Sequence, residues 1–202
     1  MRKLGMALFA LGMLVLSSCA TNYKAQLNAL GQFNYNVQSV DQLRLAGRDI
    51  NSFSGNQGVS LSSLPGIAFA LLKQDLPLQG RVNLQITNPT KTLANINEFK
   101  YIVEFSGKPL FEGSIDENIK LATGETMVLP LSFSANIFNV AKEQGLEKVI
   151  NDIFTRDSNA LLALKIKPSI KVGNKNIFYP GYITVDKDLG KGLKKIVDKA
   201  TN

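Results

Sequence analysis

The chain of 202 residues contains no histidine and a single cysteine, Cys19. Without histidine there is no Ser-His-Asp or Cys-His relay, and the commonest zinc ligand is missing. One cysteine cannot close an intrachain disulfide, so the folded part must be held together by its core. Phosphate-loop chemistry is excluded as well: Gly190 and Gly192 lie beside Lys191 and Lys194, without the G-x-x-x-x-G-K-S/T spacing or a buried strand before it. No spacing around Asp116 or Asp186 matches a calcium loop. The nearest carboxylate pairs, Asp116 with Glu117 and Asp186 with Asp188, fall at predicted strand ends, where solvated acids are ordinary. No catalytic residue, metal ligand or cofactor site is therefore assigned, and the chain is expected not to be an enzyme. Internal repeats and low-complexity segments are also absent, which leaves one domain as the simplest parse.

What the sequence does have begins at its start. Arg2 and Lys3 form a basic region, and Leu4 to Leu16 is almost wholly apolar. The apolar run is shorter than the roughly 20 residues a membrane-spanning helix needs, and it stops at Leu16-Ser17-Ser18-Cys19. This stretch resembles the signal peptide of a bacterial lipoprotein, cleaved between Ser18 and Cys19. The resemblance implies a diacylglycerol on the Cys19 sulfur and an acyl chain, commonly palmitate, on its amine. Two or more chains are what stable anchoring requires. Two other readings of the segment are a secretory signal with an incidental cysteine, and a retained helical anchor. Residues 19–32 read as a short tether. Ala20 follows the cysteine where an Asp would favour inner-membrane retention, so the expected address is the outer membrane, facing the periplasm.

Charge is modest and unevenly placed. The 23 Lys plus Arg against 16 Asp plus Glu become 21 against 16, or +5, once Arg2 and Lys3 are removed. Lys187, Lys191, Lys194, Lys195 and Lys199 all lie in the tail, residues 187–202. There, Leu189, Leu193, Ile196, Val197 and Ala200 can share one face of a short C-terminal helix. That helix either docks its apolar face on the domain or lies on an anionic membrane surface, with Lys191, Lys194, Lys195 and Lys199 as the contacts. Basic and aromatic residues are not interleaved as single-strand binders require, so nucleic acid is not an expected partner.

Between tether and tail, residues 33–186 read as a mainly β domain. About 180 residues remain after the signal, enough for a sizeable core, and 45% hydrophobic against 19% charged residues is a globular composition. Phe33, Tyr35 and Val37 alternate with Asn34, Asn36 and Gln38, and a second short strand is expected through Leu43 and Leu45 towards Ile50. A loop over 51–63 precedes one or two helical turns at Ile67 to Leu72, and Pro77 closes them. Val82, Leu84 and Ile86 alternate with Asn83, Gln85 and Thr87 until Asn88-Pro89 turns the chain. Phe99, Tyr101, Val103 and Phe105 form the first arm of a hairpin that turns at Gly107-Lys108-Pro109 into Leu110 to Ile115. Met127, Leu129, Leu131 and Phe133 give another strand, which Pro130 assigns to an edge or a bulge. Leu146, Val149, Ile150, Ile153 and Phe154 mark an amphipathic helix inserted among the strands. Strands resume at Leu162 to Ile166 and, after a turn at Gly173 to Asn176, at Phe178 to Val185.

This order of elements resembles the water-stress and hypersensitive-response (WHy) domain of the type 2 late embryogenesis abundant (LEA) proteins. The likeness rests on VNLQITNP at 82–89, on Gly107 and Gly113, and on MVLPLSF at 127–133, and it covers about residues 78–186. It implies an antiparallel sandwich of the fibronectin-type-III or immunoglobulin kind, with no catalytic residues to carry over. Two functions fit. One is a non-enzymatic, lipid-anchored envelope module that binds or scaffolds an unknown protein, or protects under stress. The alternative is a periplasmic carrier of an apolar ligand, held between the sheets or under the helix; an enclosed apolar cavity of several hundred cubic ångströms would mark it.

Overall fold

In the computed structural model of the protein, residues 23–53, 64–105, 107–149 and 162–186 are described. The expected antiparallel β-sandwich is what the chain forms: two sheets face each other over one hydrophobic core, with a few short helices at the margins. The first sheet has the order β2-β1-β3-β6, from β1 (Asn34–Leu45), β2 (Arg48–Asp49), β3 (Pro77–Thr87) and β6 (Thr126–Asn136). The second has the order β5-β4-β7-β8, from β4 (Ala94–Phe105), β5 (Lys108–Leu121), β7 (Leu162–Val172) and β8 (Lys175–Phe178), with β9 (Ile183–Asp186) also on β7. Helices are α1 (23–31), α2 (Pro65–Leu72) and α3 (Phe138–Gln144), with a 3-10 turn at Ile50–Phe53.

Alternation decides which side chains enter the core. Leu78, Val82, Leu84 and Ile86 of β3 are fully buried, and Leu129, Leu131 and Phe133 of β6 meet them from the same face. On the opposite sheet, Phe99, Tyr101, Val103 and Phe105 point inward from β4. Pro130 sits in β6 at the edge of its sheet, where its missing donor disturbs no second ladder. The hairpin β4–β5 turns at Gly107, whose φ of 75° is a conformation glycine adopts without strain.

Three expectations need correction. The two strands read over 33–50 are mainly one, β1, because two bulges change which residues face inward: Tyr35, then Val40, then Leu43 and Leu45. Each bulge adds a residue and flips the face, which a strict period of two reads as the end of a strand. The turn expected over Gly173 to Asn176 is confined to Gly173-Asn174, so β8 starts at Lys175; of the strand expected at 178–185, Phe178 ends β8 and β9 begins only at Ile183, with Tyr179-Pro180-Gly181-Tyr182 between the two strands, which both pair with β7. The second arm of the hairpin runs on to Leu121 instead of stopping at Ile115.

A further helix, α3, precedes the expected one; it ends at Gln144, and Gly145, with φ 87°, separates it from a helical turn at 146–149 that buries Leu146 and Val149 as expected. Ile150, Ile153 and Phe154 lie outside the described residues. So do Cys19 with the rest of 1–22, and the tail from 187 onward with its lysines.

Candidate functional site

The tether expected over 19–32 is, from residue 23, a helix packed on the sandwich. Tyr23, Leu27 and Leu30 stand at i, i+4 and i+7, with Leu30 fully buried and the other two partly so. The Tyr35 hydroxyl donates to the Leu30 carbonyl at 2.9 Å, satisfying an acceptor near the helix end. Burial, with the Tyr179 phenol close by, holds Tyr35 well above the usual phenol range. Gly31 then lets Tyr179 approach: a Cβ there would lie 2.6 Å from the phenol ring. α1 is thus fixed between the start of β1 and the segment joining β8 to β9.

That joining segment borders the most distinctive surface of the second sheet. Lys100 of β4 lies directly opposite Lys167 of β7. Lys100 Nζ sits 4.4 Å from the centre of the Phe178 ring, and Lys167 Nζ sits 5.9 Å from the same ring and 5.4 Å from that of Tyr182. Tyr182 is 41% exposed. Among the described residues neither lysine has a carboxylate partner, although carboxylates stand nearby. Glu104, buried on this outer face, pairs with Lys165 at 2.8 Å, and Glu98 accepts from Asn176 Nδ2 at 2.9 Å. Glu112 and Asp116 lie on the β5 side of β4, opposite Ile102 and Glu98.

Asn88, the turn residue that ends β3, is wholly buried and makes four side-chain hydrogen bonds. Its Nδ2 donates to the carbonyls of Thr92 and Leu121, both at 2.9 Å, while its Oδ1 accepts from Thr90 N at 2.9 Å and Thr90 Oγ1 at 2.7 Å. Asn88 N donates to Glu125 O at 3.0 Å, and Gly124 N donates to Asn88 O at 2.7 Å. These bonds join the two places where the chain passes between sheets, β3 to β4 and β5 to β6. The role is structural. Gly113 serves packing too: it lies opposite Tyr101, whose ring covers it, and the Tyr101 hydroxyl donates to Ser132 O at 2.6 Å. Burial raises the Tyr101 phenol as well.

Of the carboxylates considered for acid/base work, Asp116 and Glu117 are exposed within β5, not at its end, and Asp188 lies outside the described residues. No group of three potential metal ligands occurs among the described residues. Two clefts are present there, one of about 320 Å³ lined by Gln42, Arg44, Gln79, Gly80, Ser132, Phe133 and Ser134, the other of about 280 Å³ between Phe33–Asn36 and Ile183–Val185. Both open to solvent, and their walls mix polar and apolar side chains. Among the described residues no helix is long and apolar enough to cross a membrane.

No family model matches the chain, and no curated protein matches it. Solved structures similar to it include a protein from Archaeoglobus fulgidus, at 13% identity over 72% of this chain and 92% of that one, with a TM-score of 0.34. Another is a protein assigned to the late embryogenesis abundant class, at 15% identity over 88% of each chain and a TM-score of 0.36. A third, from Arabidopsis thaliana, has 16% identity over 74% of this chain and 80% of its own, with a TM-score of 0.38. No residue or role is carried over from any of them.

Proposed function

We propose that the protein is a non-enzymatic module of the bacterial envelope, anchored through acylated Cys19 in the outer membrane and facing the periplasm, where it binds or scaffolds a partner or protects under stress. The observation that carries this reading is the placement of the only cysteine: it closes Leu16-Ser17-Ser18-Cys19 and stands four residues before α1, a helix seated on the sandwich. A non-enzymatic role is supported by the uses of the buried polar groups. Asn88 joins the crossings between sheets, Glu104 pairs with Lys165, and Ser169 Oγ accepts from Glu98 N at 3.0 Å. The stress-protective variant follows from the resemblance carried by VNLQITNP and MVLPLSF.

Metabolic labelling with a fatty-acid analogue, followed by separation of inner and outer membranes, tests the anchor. The natural chain should be labelled and sediment with the outer membrane. Cys19→Ser should abolish the label; undiminished labelling of that variant would overturn the assignment.

A further inference from the structure

We infer that the open edge of β6 is a dimer contact, on which β6 of a second copy pairs antiparallel so that the two first sheets run on as one. Among the described residues β6 pairs with β3 alone, so its other edge presents unpaired main-chain donors and acceptors. Proteins blunt such edges with charges, bulges or short strands, and the other edges described here are blunted in these ways. β5 carries Lys108, Glu112, Asp116, Glu117 and Lys120 and breaks register twice against β4. β1 has two bulges, and β2 is only Arg48 and Asp49. β8 and β9 have four residues each, with Pro180 between them. β6 is the exception: eleven residues, Thr126–Asn136, paired with β3 without a register break and without one charged side chain. Pro130 is its sole guard, and Val128 beside it is 41% exposed.

A second copy is the occupant this edge fits. A twofold contact sets a strand against its own sequence, and near the axis each side chain lies beside its own counterpart. A charged edge would repel itself there; β6 has no charge to repel. In the register centred on Leu131, the outward Val128 stands opposite Ser134 of the second copy and Pro130 opposite Ser132, while Leu129, Leu131 and Phe133 stay in their own cores. An antiparallel pair of eleven residues exchanges about ten main-chain hydrogen bonds, less at most two for the prolines. That is close to the roughly ten direct hydrogen bonds of a typical stable interface. One such edge per chain makes the contact isologous and closed, which gives a dimer and not a fibre. The inference does not depend on the anchoring reading.

The test uses the purified full chain in detergent. Sedimentation equilibrium should give twice the protein mass of one chain, falling to the single mass on dilution. Amides of residues 126–136 should exchange hydrogen severalfold faster once dilution has separated the copies, while those of residues 108–121 keep their rate. A chain that is monomeric at every concentration, or exchange in β6 that does not depend on concentration, overturns the proposal. Val128→Lys/Ser134→Lys sets lysines opposite each other across the axis and should raise the dissociation constant about tenfold or more. Both positions are exposed, so the Tm of the separated chain should hold. Gln85→Lys, on the central strand of the same face, should leave the dimer intact. A dimer that survives the double substitution is held by another surface, or by two chains sharing a micelle, and overturns the proposal. If the double variant fails to fold, the concentration dependence of exchange in the natural chain still decides.

Discussion

Replacing Asn88 with alanine removes four side-chain hydrogen bonds from the junction of the two sheet crossings. Two of them involve the half-buried Thr90, which water can still reach, and the Thr92 carbonyl can still accept from Thr90 Oγ1, 3.1 Å away. The Leu121 carbonyl is different, because its bond from Asn88 Nδ2 is buried. Leaving a buried acceptor unpaired costs about 1–3 kcal/mol, and the remaining bonds contribute about 0.5–1.5 kcal/mol each where water does not replace them. The expected loss is about 2–4 kcal/mol. For a domain of this size that corresponds to a fall of about 5–15 °C in Tm. Asn88→Asp should cost at least as much, since a carboxylate can still accept from Thr90 but cannot donate to Leu121 or Thr92. Urea unfolding followed by circular dichroism, with exposed Lys91→Ala as control, measures both. An Asn88→Ala variant within about 0.5 kcal/mol of the natural chain, the range of ordinary surface substitutions, would refute the view that this residue fastens the sheets.

Two further outcomes are expected. Leu84→Asp should unfold the domain, because a carboxylate at a fully buried position costs several kcal/mol against a total stability of about 5–15 kcal/mol; Gln85→Asp on the outer face should be nearly neutral by the same melt, and equal tolerance of the two would refute the register. Tyr35 has a raised phenol, so its stabilisation is complete below the unfolded value of about 10 and is lost as pH rises beyond it. Tyr35→Phe should therefore lower stability at neutral pH, where the Leu30 carbonyl loses its donor, yet soften the alkaline decline in a pH series of urea melts. An unchanged alkaline limb would show that another group governs it.

The sandwich was legible wherever one face is wet and one dry for several residues in succession, as at Val82, Leu84 and Ile86. It became illegible at bulges: the step from Tyr35 to Val40 to Leu43 breaks a period of two without breaking the strand. α1 was missed for another reason. Tyr23, Leu27 and Leu30 carry a helical spacing, but three apolar positions among Asn and Gln read as a polar linker until Leu30 is seen in the core. Asn88-Pro89 was recognisable as a turn, although its place between two crossings depends on Leu121 and Glu125, more than thirty residues away. The lysine pair could not be read at all. Lys100 and Lys167 become neighbours only through the β4–β7 register, and no local pattern encodes that register.

The position of β7 also has a consequence for how the chain is made. β4 is paired on one side by β5, a hairpin partner available at once, but on the other side by β7, whose paired residues come 57 to 69 positions later in the chain. Pairings so distant in sequence form slowly because loop closure precedes any compensating contact. A chain emerging from its N-terminus completes β1, β3 and β6 of the first sheet while the Phe99–Phe105 edge of β4 still exposes its backbone donors and acceptors. An open strand edge is a template for pairing with other chains. The hazard lasts until Leu162–Val172 has been delivered, so the last fifth of the polypeptide determines whether the earlier strands remain in one molecule.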